Sequence, residues 1–305
     1  MKVLVTGGAG YLGTTLIPTL QDHGYEVTVF DSLVYGGDAL LPFFTDVNFH
    51  FIKGDIRDLR AVKDAVKGQD LVVHLASLVG VPACNKDVLT TQQINVQGTE
   101  NILRAIGAKH SQRVVYSSTV SVYGKSVKKM CSELSDVDPQ SMYGKTKYHA
   151  EQMMLHSDAT CLRFGTVYGL SPRMRLDLVI NELTYSAVKD GYMMVYEPTF
   201  IRPWVSVRDA ARSIVWALDT HKTNNIYNVV GENLDKKTVA EIIQQETGAS
   251  IYKAQGSDAD MRDYAVQSSK IKNAGFQFMD TVGMGVKQMV RAFSALSVTN
   301  KYKNS

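Results

Sequence analysis

A short apolar run, Val3-Leu4-Val5, followed closely by Gly8-Ala9-Gly10-Tyr11-Leu12-Gly13, leaves the start of this chain few folds to choose from. The pattern reads as a strand, a tight glycine turn and a helix. The glycines let backbone approach a diphosphate, and the free N–H groups opening the helix at Tyr11 and Leu12 bind its charge. A second half supports the first: Val27-Thr28-Val29-Phe30 reads as the next strand and ends in Asp31, eighteen residues after Gly13. A carboxylate there accepts hydrogen bonds from an adenosine ribose and repels a 2′-phosphate, so NAD is expected rather than NADP.

The alternation continues. Strands are expected at Val3-Thr6, Glu26-Phe30, Asn48-Ile52, Leu71-Leu75, Arg113-Tyr116 and Thr160-Arg163, with helices over Gly13-His23, Leu59-Lys67, Thr90-Ala108 and Tyr143-His156. Apolar strands alternating with amphipathic helices predict an α/β fold, a doubly wound parallel sheet covered on both faces, with a smaller C-terminal substrate lobe. We place the dinucleotide-binding domain at 1–165, with segments near 200–230 returning to it, and the second lobe mostly at 166–305. There the pattern loosens: helices at Leu176-Asp190 and Ser206-Leu218, strands at Met193-Tyr196 and Ile226-Val230, and a capping box at Thr238-Glu241 opening a helix that Gly248 ends. Asn300-Ser305 reads as a polar tail.

Composition narrows the partners. A net charge of +3 over 305 residues is too mild for nucleic acid or a membrane surface, and the pairs Lys128-Lys129 and Lys236-Lys237 read as solvated surface. Cys84, Cys131 and Cys161 lack metal-ligand spacing, the seven histidines form no cluster, and His74 reads as a core residue; no metal is expected. Free cysteines and a strand in place of a signal peptide predict a cytoplasmic protein.

Two segments carry the chemistry. Tyr116-Ser117-Ser118-Thr119 brings hydroxyls to the carboxyl end of a strand, where such sheets bind ligands. Tyr143 and Lys147, four apart at the head of a helix, share a face. Tyrosine is a poor base near its ordinary pKa of about 10, but a neighbouring ammonium and an oxidised nicotinamide both stabilise the phenolate. Tyr143 thereby becomes an acid/base beside a hydride acceptor.

Together these segments resemble the extended short-chain dehydrogenases/reductases, in particular the NAD-dependent epimerases and dehydratases acting on nucleotide sugars. The likeness runs through Gly7, Gly10 and Gly13, Gly54-Asp55-Ile56-Arg57-Asp58, His74-Leu75-Ala76, Asn95-Val96-Gln97-Gly98-Thr99 and Ser117-Ser118-Thr119. It continues through Tyr143 with Lys147, Leu162-Arg163-Phe164-Gly165-Thr166-Val167-Tyr168-Gly169 and Arg202-Pro203-Trp204-Val205-Ser206-Val207-Arg208-Asp209. The resemblance implies that Asp55 and Ile56 border the adenine, and that Leu75, Ala76 and Ser77 line the ribose and diphosphate path. It makes Tyr143 the base, tuned by Lys147, which also holds the nicotinamide ribose, and Thr119 the partner of the sugar hydroxyl being oxidised. Asn181, Arg202 and Arg262 match substrate-diphosphate positions, although an ion pair explains Arg262 equally well. Asn95 is expected to tie strand to helix. Tyr192, Met194, Tyr196 and Trp204 are either base-pocket or core residues.

Departures from the pattern narrow the reaction. Dehydratases of this kind carry Asp-Glu directly after the catalytic threonine, where this chain has Val120-Ser121; decarboxylating relatives carry Glu at the place of Ser121. Thr166 stands where many relatives have Asn, and Cys84 reads as an ordinary thiol. The expected activity is epimerisation of a nucleotide-linked sugar at C4 through a transient 4-keto sugar. A reductase or dehydrogenase of a nucleotide-linked keto sugar is the alternative, and a non-catalytic dinucleotide sensor a remote one. Relatives commonly dimerise through the helix carrying Tyr143 and the long helix before it, so a homodimer is expected, with Ile94, Ile102, Met153 and Met154 as apolar residues on those helices.

Overall fold

A computed structural model describes residues 1–107, 113–124, 130–220, 223–256 and 262–296. The Lys128-Lys129 pair, the tail Asn300-Ser305 and the last residue of the helix expected over Thr90-Ala108 lie outside the described residues.

Seven parallel strands form the central sheet. From one edge to the other they run Asn225–Val229, Thr160–Phe164, Arg113–Thr119, Leu71–His74, Lys2–Thr6, Glu26–Asp31 and Phe49–Lys53. Side chains alternate across the pleat, so Val3 and Val5 point to one face and Leu4 to the other. On the first face lie the helices Tyr11–Asp22 and Val207–Asp219, burying Leu16, Ile17, Leu20, Ala210 and Ile214. On the second lie Leu59–Val66, Gly98–Ile106 and Met142–Leu155, burying Val62, Ala65, Ile102, Ile106 and Met154. Strand order reverses between Lys2–Thr6 and Leu71–His74, which opens a crevice beyond their carboxyl ends.

Several boundaries differ from expectation for identifiable reasons. The fifth strand runs on through Thr119, so the hydroxyls of Ser117, Ser118 and Thr119 belong to the strand end itself. The helix expected over Thr90-Ala108 is broken by a π turn at Gln93–Gln97, between Val88–Gln92 and Gly98–Ile106. The helix near 238 begins at Lys236, because Asp235, not Thr238, caps it: the Asp235 carboxylate accepts from the Thr238 N–H at 2.7 Å. Gly248 ends that helix in the left-handed region at φ 72°.

The second lobe is built on a mixed sheet of Glu232–Asp235, Ile201–Ser206 and Thr166–Tyr168, with a parallel pair Tyr192–Val195 and Ser250–Lys253. Its core gathers Tyr168, Ile180, Leu183, Met193, Trp204, Ile243, Met289 and Phe293. Trp204 is therefore a core residue, its indole N–H donating to the Leu234 carbonyl at 3.0 Å. Tyr192, Met194 and Tyr196 are each more than 40 % exposed and do not line the crevice. Ile102 and Met154 are fully buried, which leaves only Ile94 and Met153 of the four apolar helix residues partly exposed. No helix of the described residues is long and apolar enough to cross a membrane.

His74 is buried in the fourth strand between Thr6 Oγ1, 2.7 Å from Nδ1, and Thr99 Oγ1, 3.1 Å from Nε2. Burial first, and then the Lys147 charge, depress its pKa from 6.5 to about 3. A histidine held neutral in the fold contributes stability above its unfolded pKa that is lost as pH falls towards 3. H74Q is accordingly expected to flatten the fall in urea-unfolding free energy between pH 6.5 and 4, by up to roughly 1.4 kcal/mol per pH unit.

Candidate functional site: a dinucleotide cleft with a tyrosine at its floor

The crevice is a cleft of about 370 Å³. Gly7, Gly10, Tyr11, Leu12, Gly13, Asp31, Asp55, Ile56, Leu75, Ala76, Ser77, Thr119, Tyr143 and Arg262 all line it. Lys147, Asn181 and Arg202 do not.

Each glycine of the first turn has its own reason. Gly7 turns the chain at φ 72°, where a Cβ would stand 2.7 Å from the Ala76 nitrogen on the neighbouring strand end. Gly13 lies so close to Gly8 that a Cβ would come 2.5 Å from its Cα. At Gly10 a Cβ would meet only the Gly7 carbonyl, at 3.2 Å, so on the cleft side nothing stands between this backbone and a ligand. The helix it opens has no side-chain cap and no acidic residue in its first turn, which leaves N–H donors for an anion. These residues fit the diphosphate of a dinucleotide. Asp31 fits a ribose: its two oxygens accept from the Ala9 N–H at 3.1 Å and the Leu33 N–H at 2.8 Å, which fixes the carboxylate, and burial raises its pKa.

Asn95, in the π turn, holds the opposite wall. Its Oδ1 accepts from Ser77 Oγ at 2.9 Å and the Leu78 N–H at 2.8 Å, and its amide donates to Leu78 O and Thr146 Oγ1, both at 3.1 Å. It ties strand end to helix, as expected. Cys84 is buried, donates to Leu78 O at 3.4 Å, and burial pushes its thiol up to about 11, which makes it a poor nucleophile.

At the far end Tyr143 and Thr119 line the cleft together. Thr119 Oγ1 donates to Ser121 Oγ at 3.0 Å and accepts from the Ser121 N–H at 3.1 Å, and Arg262 Nη1 donates to Ser121 Oγ at 2.6 Å. Burial raises the Tyr143 pKa; the Thr119 hydroxyl and the charges of Arg262 and Arg175 pull it down, while Cys84 adds to the rise. Without a cofactor's charge the tyrosine is thus held protonated. Lys147 is buried with its ammonium 4.2 Å from the centre of the Tyr116 ring, and burial depresses it to about 7.

Two residues assigned to a substrate diphosphate have other surroundings. Asn181 is fully buried: its Oδ1 accepts from the Gly169 N–H at 2.9 Å, and its amide donates to Tyr11 Oη at 3.2 Å and Arg175 O at 2.9 Å. Tyr11 in turn donates to Gly169 O at 2.6 Å. Asn181 therefore fastens the glycine turn to the second lobe. Arg202 is only 3 % exposed, on a strand of the second-lobe sheet, and is not among the residues that line the cleft. The cleft's second-lobe arginines are Arg173, Arg175 and Arg262. Arg173 stacks on Tyr35 at 4.8 Å, and Arg175 forks onto Asp177 at 3.2 and 2.6 Å.

Sequence reasoning also missed Glu151. It lies one turn beyond Lys147 and is fully buried, accepting from Arg163 Nη2 at 2.6 Å, Arg163 Nε at 2.9 Å and Ser118 Oγ at 2.5 Å. Burial opposes the Arg163 charge, and the Glu151 carboxylate more than offsets it. The four-residue spacing of Tyr143, Lys147 and Glu151 was the available signal.

A doubly wound sheet, a glycine turn with open donors, an Asp ending the second strand at the cleft and a tyrosine at the cleft floor define an NAD-dependent enzyme of the extended short-chain dehydrogenase/reductase type. The chain belongs to the NAD dependent epimerase/dehydratase family, whose profile matches residues 3–230. It is 31% identical to a dTDP-glucose 4,6-dehydratase of Streptomyces niveus over 82% of this chain and 78% of the relative. It is 28% identical to a UDP-glucose 4-epimerase of Lactobacillus helveticus, over 82% and 83%. DesIV, a dTDP-glucose 4,6-dehydratase of Streptomyces venezuelae solved with NAD bound, superposes with a TM-score of 0.87 at 27% identity, over 97% of each chain.

Proposed function

We propose that this enzyme epimerises a nucleotide-diphosphate sugar at C4. The similar proteins carry both epimerase and dehydratase names, so the choice rests on the cleft. The observation that carries it is the set of acidic residues lining that cleft. Among the described residues they are Asp31 and Asp55, both at the adenosine end, while the sugar end offers Thr119, Ser121, Tyr143 and Thr166. Removing water across C5 and C6 requires a carboxyl acid beside the sugar; Val120 is apolar and fully buried, and Ser121 has no carboxyl.

Bound NAD supplies the hydride acceptor and donor that make one carbinol carbon reversibly oxidisable. Tyr143, as phenolate, takes the C4 hydroxyl proton, and later returns one to the other face. Thr119 orients that hydroxyl and then the carbonyl oxygen. Lys147 holds the nicotinamide ribose. Arg173 and Arg175 supply cations to diphosphate groups in the cleft, in place of Asn181 and Arg202, so that the sugar turns while its nucleotide stays. The same reading takes the enzyme as a homodimer through Gly98–Ile106 and Met142–Leu155.

The test is proton NMR of UDP-, GDP-, CDP- and dTDP-hexoses incubated with the purified protein and no added cofactor. Interconversion of C4 epimers without net NADH supports the proposal and identifies the nucleotide. Turnover only with stoichiometric NADH moves the assignment to a reductase or dehydrogenase, and a 4-keto-6-deoxy product moves it to a dehydratase.

A further inference from the structure

Arg173 is a cation of the cleft with no ion pair among the described residues. It is 5 % exposed and lines the cleft together with Gly10, Tyr11 and Leu12 of the glycine turn. Its Nη2 is buried and meets no hydrogen-bond partner among those residues. The neighbouring carboxylates are engaged elsewhere: Asp177 takes the fork of Arg175, and Asp31 accepts from the Ala9 and Leu33 N–H groups. Burial, and then the Arg175 charge, hold the Arg173 pKa below the usual arginine value, against the pull of Asp177, Tyr35 and Asp31. A buried charge in such surroundings costs stability unless an anion reaches it.

Two contacts decide which anion that is. The Arg173 N–H donates to Thr14 Oγ1 at 3.2 Å, and Thr14 Oγ1 donates to Gly10 O at 2.9 Å, so the backbone of the arginine is pinned to the first turn of the helix Tyr11–Asp22. At the other end of the side chain the guanidinium lies over the Tyr35 ring, 4.8 Å from its centre. Tyr35 belongs to the loop after the strand Glu26–Asp31 and lines the cleft on the Asp31 side. A root on the glycine-turn helix and a head against the adenosine-side loop put this charge in the cofactor's half of the cleft.

We propose that Arg173 is a ligand of the NAD diphosphate, completing from the second lobe the site that the glycine turn opens from the first, and that Tyr35 is the positioning residue that holds its guanidinium there. This assignment rests on the reading of the cleft's arginines as diphosphate cations, and gives one of them to the cofactor rather than to the sugar nucleotide.

Each phosphate of the dinucleotide carries a negative charge, whereas a helix N-terminus supplies roughly half a positive one. The helix Tyr11–Asp22 opens without a side-chain cap, so its N–H groups face the ligand, but they leave most of that charge uncompensated. A guanidinium adds a full charge and a planar fork that matches phosphate oxygens. Stacked on Tyr35, the long side chain is ordered before the ligand arrives, so less conformational entropy is lost on binding. The ring does this, not the hydroxyl.

The experiment follows release of cofactor from the NAD-loaded full chain, by chase with isotopically labelled NAD and mass spectrometry of what the protein retains. In parallel, calorimetry on the same loaded enzyme measures binding of whichever of UDP, GDP, CDP and dTDP the wild type takes. R173Q is expected to release NAD roughly tenfold faster or more, as loss of a charged hydrogen bond predicts, with the nucleoside diphosphate affinity unchanged. R173K keeps the charge and is expected to release NAD more slowly than R173Q; equal rates in the two would show that packing rather than charge retains the cofactor, and overturn the assignment. Y35F is expected to match the wild type, and Y35A to speed release by less than R173Q; Y35A at the wild-type rate overturns the role given to Tyr35. Unchanged NAD release in R173Q with a weakened nucleoside diphosphate gives Arg173 to the sugar nucleotide, which overturns the cofactor assignment and leaves the cationic reading in place. No change in either overturns both, and equal weakening of both reveals a distorted cleft and overturns the assignment as well. None of these readouts depends on which sugar carbon reacts, so failure here leaves the epimerase reading to its own test.

Discussion

Y143F is expected to lower kcat for C4 interconversion by roughly 10²–10⁴-fold while leaving the bound NAD content unchanged. The phenol oxygen is the group at the cleft floor that can both take and return the carbinol proton, and phenylalanine keeps the ring's packing on the helix Met142–Leu155. Measuring kcat beside the NAD released on denaturation separates chemistry from binding. A variant that keeps wild-type turnover removes Tyr143 from the mechanism. One that loses NAD as well as activity shows instead that the hydroxyl holds the cofactor.

Glu151→Ala is expected to cost about 3–5 kcal/mol of unfolding free energy, the largest single-site loss anticipated outside the glycine turn. The reason is the partner left behind. Arg163 is 2 % exposed, and without the carboxylate the acceptor left to it among the described residues is the Tyr123 hydroxyl, 3.0 Å from Nη1. Ser118 loses its acceptor at the same time. Replacing both charges by methionine is expected to recover most of the loss, since a paired buried charge adds little net stability over a well-packed apolar pair. Urea unfolding of the single and double variants checks both statements; a single variant within about 1 kcal/mol of wild type refutes the first.

What could be read from sequence follows periodicity. The seven strands of the central sheet, the turn at Gly7–Gly13 and Asp31 declare themselves because an apolar strand followed by glycines has few other uses. Tyr143 and Lys147 are four apart on one helix, and that local spacing survives folding. Asn181 and Arg202 carry no such signal. They lie in the irregular half, where the facing of a side chain depends on how short strands and turns join, so a match in position did not bring either to the cleft. Ser121 and Arg262 stand 141 residues apart, and only the assembled fold shows that they touch. Glu151 was missed because a helical glutamate in sequence resembles solvated surface, and its buried partner Arg163 comes from the following strand.

The tie between the glycine turn and the second lobe bears on the direction of the reaction. Tyr11 donates to Gly169 O, Ser171 Oγ donates to Tyr11 O at 2.7 Å, and Asn181 clasps both Tyr11 and Gly169. The glycine turn that lines the cleft is thereby fastened to the second lobe. On the epimerase reading, the hydride taken from a sugar is given back to it, so the ratio of oxidised to reduced nicotinamide in the surroundings has no lever on the outcome. The balance reached is set by the relative free energies of the two sugars alone.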